Sequence, residues 1–159
     1  RREVEYEGHK SSKFLYTTIN YPLLRYSDVL LMYAEASNEI GGLTQEAYDC
    51  VKAVRDRAGI KTKDFEDYDQ NSFRELVRNE RGRELCFESL RKYDLIRWGI
   101  YVEEMNNYTK WAADERWTKN AKAQRAASMG SYIKPMHVVL PIPSIELGVN
   151  DLLVQNPLW

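Results

Sequence analysis

The chain has 159 residues, 43% of them hydrophobic and 30% charged, a balance typical of one globular domain rather than a disordered tail. Its 23 basic and 24 acidic residues give a formal net charge of -1, so no overall field attracts nucleic acid or anionic lipid. The longest apolar runs reach about a third of the roughly 20 residues that a transmembrane helix needs. No targeting signal follows Arg1, and we expect the chain to be part of a longer protein.

The predicted elements begin with a helical hairpin over residues 21–59. Pro22 suits the first turn of a helix, and apolar side chains then recur at steps of three and four up to Gly41 and Gly42. The stripe that this pattern predicts to face the core consists of Tyr26, Val29, Leu30, Tyr33, Ala36 or Ser37, and Ile40. Thr44 can cap a second amphipathic helix, which Gly59 ends. Two such helices joined by a short turn form an antiparallel hairpin.

A charged helix pair is predicted over residues 72–112, after a polar loop at residues 60–71. Ser72 and Glu75 have the spacing of a capping box, which predicts that the first of these helices begins at Ser72. Within this helix, acidic and basic residues repeat at steps of three and four, a spacing that supports a helix by tenths of a kcal/mol per pair.

Three residues of this charged helix form the structural ion-pair set: Glu80, Arg81 and Glu84. We predict that their ion pairs and hydrogen bonds set how the helix docks on its neighbours. Catalysis by Glu80 and Glu84 is the alternative, because paired carboxylates perform acid and base steps in glycosidases. Adjacent turns of one helix, however, hold both carboxylates on one surface rather than across a cleft. We predict that the chain is not an enzyme.

The remainder is predicted to be a surface excursion over residues 113–134 and an extended, proline-rich tail over residues 135–159. Pro135, Pro141 and Pro143 exclude a long helix there. The predicted fold class is therefore mainly α, with antiparallel helical hairpins and an extended tail packed over them. The hairpins suggest a tetratricopeptide-like array, although no 34-residue period is visible.

Metal and cofactor sites are not predicted. His9 and His137 lie at no metal-binding spacing, and the glycines form neither a phosphate loop nor a dinucleotide motif. Cys50 and Cys86 lie far apart in segments that we interpret as helical. Two partly buried free thiols are the favoured interpretation, and a disulfide between neighbouring helices is the alternative.

The aromatic residues fall into two groups. Tyr26, Tyr33, Tyr93 and Trp98 are in phase with core stripes, and we assign them to packing. The second group lies in or beside the excursion together with polar side chains, and its candidate ligand-binding members are Tyr108, Trp111, Trp117, Asn107 and Arg116. Aromatic faces beside amide and guanidinium groups suit sugar rings, which stack and accept directional hydrogen bonds. Alternatively, these tryptophans pin the excursion onto the helices or onto a missing N-terminal portion.

Three blocks of the chain resemble the C-terminal region of the SusD/RagB family, in the order found in that family. The blocks are YPLLRYSDVLLMYAEA at residues 21–36, RNERGRELCFE at 78–88 continued by YDLIRWG at 93–99, and LPIP at 140–143 with QNP at 155–157. The combination is far more specific than any one block, and it covers much of residues 21–99 and most of 138–159.

The resemblance implies a tetratricopeptide-like, carbohydrate-binding lipoprotein on the extracellular face of the outer membrane of a Bacteroidetes-type bacterium. It implies as partners a SusC-like TonB-dependent transporter, a glycan or peptide nutrient, and the missing N-terminal part of the same protein. Membrane contact would occur only through a lipid anchor outside this chain, and neither a cofactor nor a nucleic-acid partner is implied. An all-helical protein-interaction module without small-ligand binding is the alternative that the helical stripes alone leave open.

Overall fold

Helices make up the regular structure of the part of the chain that the computed structural model describes, residues 22–112 and 120–159. This is the mainly α fold that the sequence predicts. The chain divides into two compact units, Arg1–Glu84 and Leu85–Trp159. The first unit contains α1 (Tyr26–Gly41), α2 (Gln45–Arg57) and α3 (Gln70–Glu84). The second contains α4 (Arg91–Arg97), α5 (Tyr101–Ala112), α6 (Ala121–Ser131) and α7 (Ser144–Val149).

α1 and α2 pack against each other as a helical hairpin. α1 begins at Tyr26, so the prediction that Pro22 lies in its first turn is wrong, whereas three other signals mark the helix ends as predicted. Gly42 adopts a φ of +84° and donates its N–H to the Asn38 carbonyl at 3.1 Å. The Thr44 hydroxyl accepts a hydrogen bond from the Ala47 N–H at 3.2 Å and so caps α2. Gly59, at a φ of +72°, follows the end of α2. These three predictions of helix ends are confirmed.

The core of the first unit lies where α1, α2 and α3 meet. Its members are buried apolar side chains from all three helices: Leu31, Ala34, Ala47, Tyr48, Val51, Val54, Phe73 and Val77. The loop before α3 also contributes, because the Tyr48 ring meets the Phe65 ring edge-on at 5.7 Å. The Tyr48 hydroxyl donates to the Lys63 carbonyl at 2.7 Å. A loop that reads as polar is thus tied back onto α2.

The predicted buried face of α1 is wrong. Tyr26 is 76% exposed and Tyr33 is 50% exposed, whereas the buried residues of α1 are Asp28, Leu31, Ala34 and Asn38. α1 has apolar residues on two faces, so helical periodicity identifies the helix without choosing its buried side. Two of these buried residues are polar and have partners on α3: the Asp28 carboxylate accepts from Arg81, and the Asn38 amide N–H donates to the Gln70 carbonyl. The side-chain oxygen of Asn38 has no hydrogen-bond partner among the described residues. Tyr93, also assigned to packing, is 67% exposed, and Trp98 is half-buried.

The predicted start of α3 at Ser72 is also wrong. The Asp69 carboxylate accepts a hydrogen bond from the Ser72 N–H at 2.7 Å, and the Ser72 hydroxyl accepts one from the Asp69 N–H at 2.9 Å. This reciprocal pair has the geometry of a capping box, with Asp69 as the cap and Gln70 as the first helical residue. Asp and Ser are both favoured residues at the N-cap of a helix, and the structure uses the earlier of the two, Asp69.

The second unit begins with a turn that contains two residues in the left-handed region, Phe87 at a φ of +65° and Ser89 at +63°. Cys86 lies in this turn and is exposed, so its assignment to a helix is wrong. Cys50 is half-buried on α2, and burial raises the pKa of its thiol. Both cysteines are free thiols in the structure, but only Cys50 is partly buried as the favoured interpretation predicts, whereas Cys86 is exposed.

Hydrogen bonds join the two segments of the third sequence block, LPIP at residues 140–143 and QNP at residues 155–157. The Gln155 amide accepts from the Ile142 N–H at 2.8 Å and donates to the Ile142 carbonyl at 3.0 Å. The Asn156 amide donates to the Leu140 carbonyl at 2.7 Å. Side-chain amides therefore hold the LPIP segment against the QNP segment, on either side of the short helix α7.

Candidate functional site

Arg81 is the central member of the ion-pair set in the first unit. Its guanidinium donates to the Asp28 carboxylate at 2.8 Å, and both side chains are almost fully buried. The Glu35 carboxylate lies 4.0 Å from the Arg81 Nε. A buried charge is tolerated only when it is paired and hydrogen-bonded, so these contacts fix one docking geometry for α3 against α1.

Glu80 and Glu84 pair with arginines on other segments rather than with each other. Arg55 donates to Glu80 at 2.7 Å, and Arg25 donates to Glu84 at 2.9 Å. Arg57 also pairs with Glu84. Both carboxylates therefore accept hydrogen bonds from arginines of other segments, which is the structural role that the sequence predicts for them.

The exposed aromatic pair of the second unit is the best candidate for ligand contact. Tyr108 and Trp111 lie one turn apart on α5, and their rings stack with centroids 5.7 Å apart and an interplanar angle of 26°. Tyr108 is 40% exposed and Trp111 is 49% exposed. Rings that stack on each other cover the faces between them, so the aromatic platform that this pair offers a ligand consists of its outer faces and edges.

α5 is positioned by close contact with α6 at Gly130. A Cβ atom at this buried glycine would lie 2.2 Å from the Thr109 hydroxyl and 2.6 Å from the Met105 carbonyl oxygen. The Thr109 hydroxyl itself donates to the Met105 carbonyl at 3.1 Å. Only glycine allows the two helices to approach this closely, and the approach leaves Tyr108 and Trp111 on the outside.

Of the five predicted ligand-binding residues, the structure brings together three. Asn107 is exposed on α5, one turn before Trp111, so its amide can reach a ligand stacked on that ring. Trp117 and Arg116 lie outside the described residues.

The sequence reasoning missed Trp98 as a surface feature: the guanidiniums of Arg91 and Arg97 lie 5.5 and 4.9 Å from its ring centroid. Arg91 and Arg97 lie seven positions and one position before Trp98, and two arginines so near a tryptophan in the sequence are a signal that could have identified the cluster.

Within residues 22–112 and 120–159, side chains of His, Cys, Asp and Glu do not gather into a group that could hold a metal ion. In the same ranges, each helix is too short or too polar to span a bilayer.

Consecutive helices that pack against each other, α1 on α2 and α5 on α6, place the chain among the tetratricopeptide-like helical proteins. Comparison with known proteins sharpens this class. The SusD family model matches residues 1–159, and the chain belongs to that family.

SusD-like protein P25 from Formosa agariphila is 37% identical over 139 residues, which cover 86% of this chain and 24% of that protein. SusD-like protein P2 from the same organism is 34% identical over 98 residues, covering 58% and 19% respectively. The crystal structure of a SusD homolog from Bacteroides thetaiotaomicron superposes with a TM-score of 0.74 at 37% identity, covering 86% of this chain and 26% of that one. The chain thus spans about a quarter of the length of P25 and of the crystallised homolog.

Proposed function

We propose that the chain is part of a surface nutrient-binding lipoprotein of the outer membrane, which binds a glycan and delivers it to a SusC-like TonB-dependent transporter. Membership of the SusD family supports the general role. The stacked pair of Tyr108 and Trp111 is the observation that carries the proposal for this chain, because it offers an exposed, preformed surface for a sugar ring.

The chemistry of this surface favours binding over catalysis. Sugar rings present C–H faces that pack on aromatic rings, while their hydroxyls need amide or charged partners at the rim. Asn107 supplies such an amide, and Arg116 and Trp117 are proposed to add a guanidinium and a third ring. The carboxylates Glu80 and Glu84 belong to the first unit and are occupied by arginines, so they contribute no acid or base.

The test is ligand binding by the full-length protein, screened against glycan arrays and peptide pools. For a glycan that binds, Trp111→Ala is expected to weaken affinity about tenfold, since a stacking contact contributes up to about 1.5 kcal/mol beyond buried area. The matched control is Tyr132→Ala, which removes an aromatic side chain that is 70% exposed in the same unit but outside the stacked pair.

Unchanged affinity in Trp111→Ala and Tyr108→Ala would place the ligand site elsewhere in the protein. The transporter is tested separately, by co-purification of the full-length protein from outer membranes. A full-length protein that binds no glycan or peptide and captures no transporter would overturn the proposal and favour the protein-interaction module.

A further inference from the structure

A single turn of 3₁₀ helix, Pro135–Val138, precedes the LPIP segment and is closed by its own histidine. The Lys134 N–H donates to Nδ1 of His137 at 2.9 Å. In return, the His137 N–H donates to the Lys134 carbonyl at 2.9 Å. This reciprocal pair has the form of a capping box, with an imidazole in the place that Glu or Gln usually takes. The imidazole is therefore a hydrogen-bond acceptor that the turn uses.

Trp159 fastens the end of the tail to the same turn. Its indole N–H is shared between two carbonyl oxygens, that of Met136 at 3.0 Å and that of Val139 at 3.2 Å. The Trp159 ring also meets the His137 ring, with centroids 5.6 Å apart and an interplanar angle of 71°. We call the contacts that join Lys134, His137 and Trp159 the C-terminal clasp. The clasp closes the tail into a loop that contains α7.

The closed clasp requires the neutral form of His137. A ring nitrogen accepts a hydrogen bond only when it carries no proton, so His137 holds its one ring proton at Nε2. A second proton binds at Nδ1, where it points at the Lys134 N–H, and two donors that face each other repel. The ring then has to turn away from Lys134, and it leaves the Trp159 ring with which it is in contact. Protonation of His137 and closure of the clasp therefore exclude each other.

Nearby charges do not compensate a proton on this ring. The charged side chains of the turn, of α5, which packs against the turn, and of the tail are Lys134, Glu103, Glu104, Lys110, Glu146 and Asp151. Within residues 22–112 and 120–159, His137 forms an ion pair with none of the carboxylates. An imidazolium in the closed clasp would thus lose its hydrogen bond and gain no carboxylate partner, so the hydrogen bond decides the effect.

We propose that the C-terminal clasp is an acid-sensitive switch: protonation of His137 opens it and releases the tail from the turn Pro135–Val138. Imidazole side chains take up a proton at about pH 6.5 in unstructured peptides. Because the neutral ring holds the clasp, its stabilisation is present above about pH 6.5 and is lost as the pH falls below that value. The switch concerns the fold of the tail and needs no nutrient ligand, so its failure is distinguishable from failure of the proposed function.

The test is amide hydrogen exchange of the full-length protein, measured by mass spectrometry at about pH 7.5 and about pH 5, on either side of the imidazole transition. Protection factors, which remove the intrinsic pH dependence of exchange, are compared for peptides that cover residues 134–159. Protection of this segment is expected to fall about tenfold at the lower pH, as the loss of one hydrogen bond predicts. Peptides from α1, α2 and α3 should keep their protection and so show that the fold is intact.

Two variants separate the hydrogen bond from the charge. His137→Gln is the matched control, because a Gln side chain can reach back to the Lys134 N–H and does not titrate, and it should stay protected at both pH values. His137→Ala removes the acceptor and should show low protection at both. An equal acid-induced loss in the native protein and in His137→Gln would overturn the proposal. So would native protection that does not change with pH, the result expected if an imidazolium stays on the Trp159 ring as a cation–π contact.

Discussion

The two units of the chain are stabilised by different kinds of contact. Residues 22–84 bury a contiguous core and close it with buried ion pairs such as Arg81 with Asp28. The described part of residues 85–159 buries fewer large side chains, among them Leu85, Leu95 and Tyr101, and exposes many more. A close glycine contact joins α5 to α6, and amide hydrogen bonds join the two segments that flank α7. The first unit is therefore specified by its interior, whereas the described part of the second unit leaves most of its large apolar side chains exposed.

The largest expected effect on the free energy of unfolding comes from removing the buried ion pair of the first unit. Arg81→Ala leaves the Asp28 carboxylate buried and without its main partner, which should lower the free energy of unfolding by about 3–5 kcal/mol. Urea denaturation of the full-length protein measures this loss. Arg83→Ala is the control, because Arg83 is largely exposed and 3.6 Å from Glu80, and it should cost less than about 1 kcal/mol. Similar losses in both variants would contradict the ion-pair argument.

The glycine contact of the second unit should have the next largest effect. Gly130→Ala forces a methyl group into the Thr109 hydroxyl and the Met105 carbonyl and should lower the free energy of unfolding by about 1–3 kcal/mol. Gly148→Ala is the matched control in α7, where a Cβ has open space. Alanine favours a helix over glycine, so this control should be neutral or stabilising by up to about 1 kcal/mol. Thermal unfolding distinguishes the two variants, and equal destabilisation would contradict the close approach.

The aromatic platform should matter for the ligand far more than for the fold. Trp111→Ala removes a half-exposed ring, so the free energy of unfolding should change by less than about 1 kcal/mol, while glycan affinity falls about tenfold. Denaturation and binding measured on the same preparation separate these effects. A stability loss as large as that of Gly130→Ala would assign Trp111 to packing.

The smallest expected effect is the pH dependence of the α3 cap. Hydrogen bonds from Ser72 to the carboxylate lower the pKa of Asp69 below its ordinary value. A carboxyl whose pKa falls on folding stabilises the fold at pH values above its ordinary pKa, and this stabilisation is lost as the pH falls through the lowered one. Asp69→Asn should therefore lower Tm at pH 7 and lose its difference from the native protein below about pH 4. A Tm difference that is constant with pH would exclude this role of the charge.

Local sequence signals predict much of the candidate site and the members of the ion-pair set. They do not predict the residues with which the ion-pair set pairs. Tyr108, Trp111 and Asn107 lie within one turn of each other, so helical spacing alone predicts that they share a region of surface. The members of the ion-pair set were also visible as charges on one helix. Their partners Asp28, Arg25 and Arg55 lie 25 to 59 positions away along the chain, and no local pattern identifies a pairing across that distance.

Local signals in the sequence determined where the first hairpin turns and ends, because the glycines, Thr44 and the helical periodicity act within a few residues of each other. The sequence also determined the family, through blocks that are read without any contact being known. Only the tertiary structure decided which face of α1 is buried, since two apolar faces compete and the buried one gains contacts with α3: Arg81 pairs with Asp28, and the Gln70 carbonyl accepts from the Asn38 amide. The other apolar face of α1, which carries Tyr26, Tyr33 and Ile40, is exposed among the described residues.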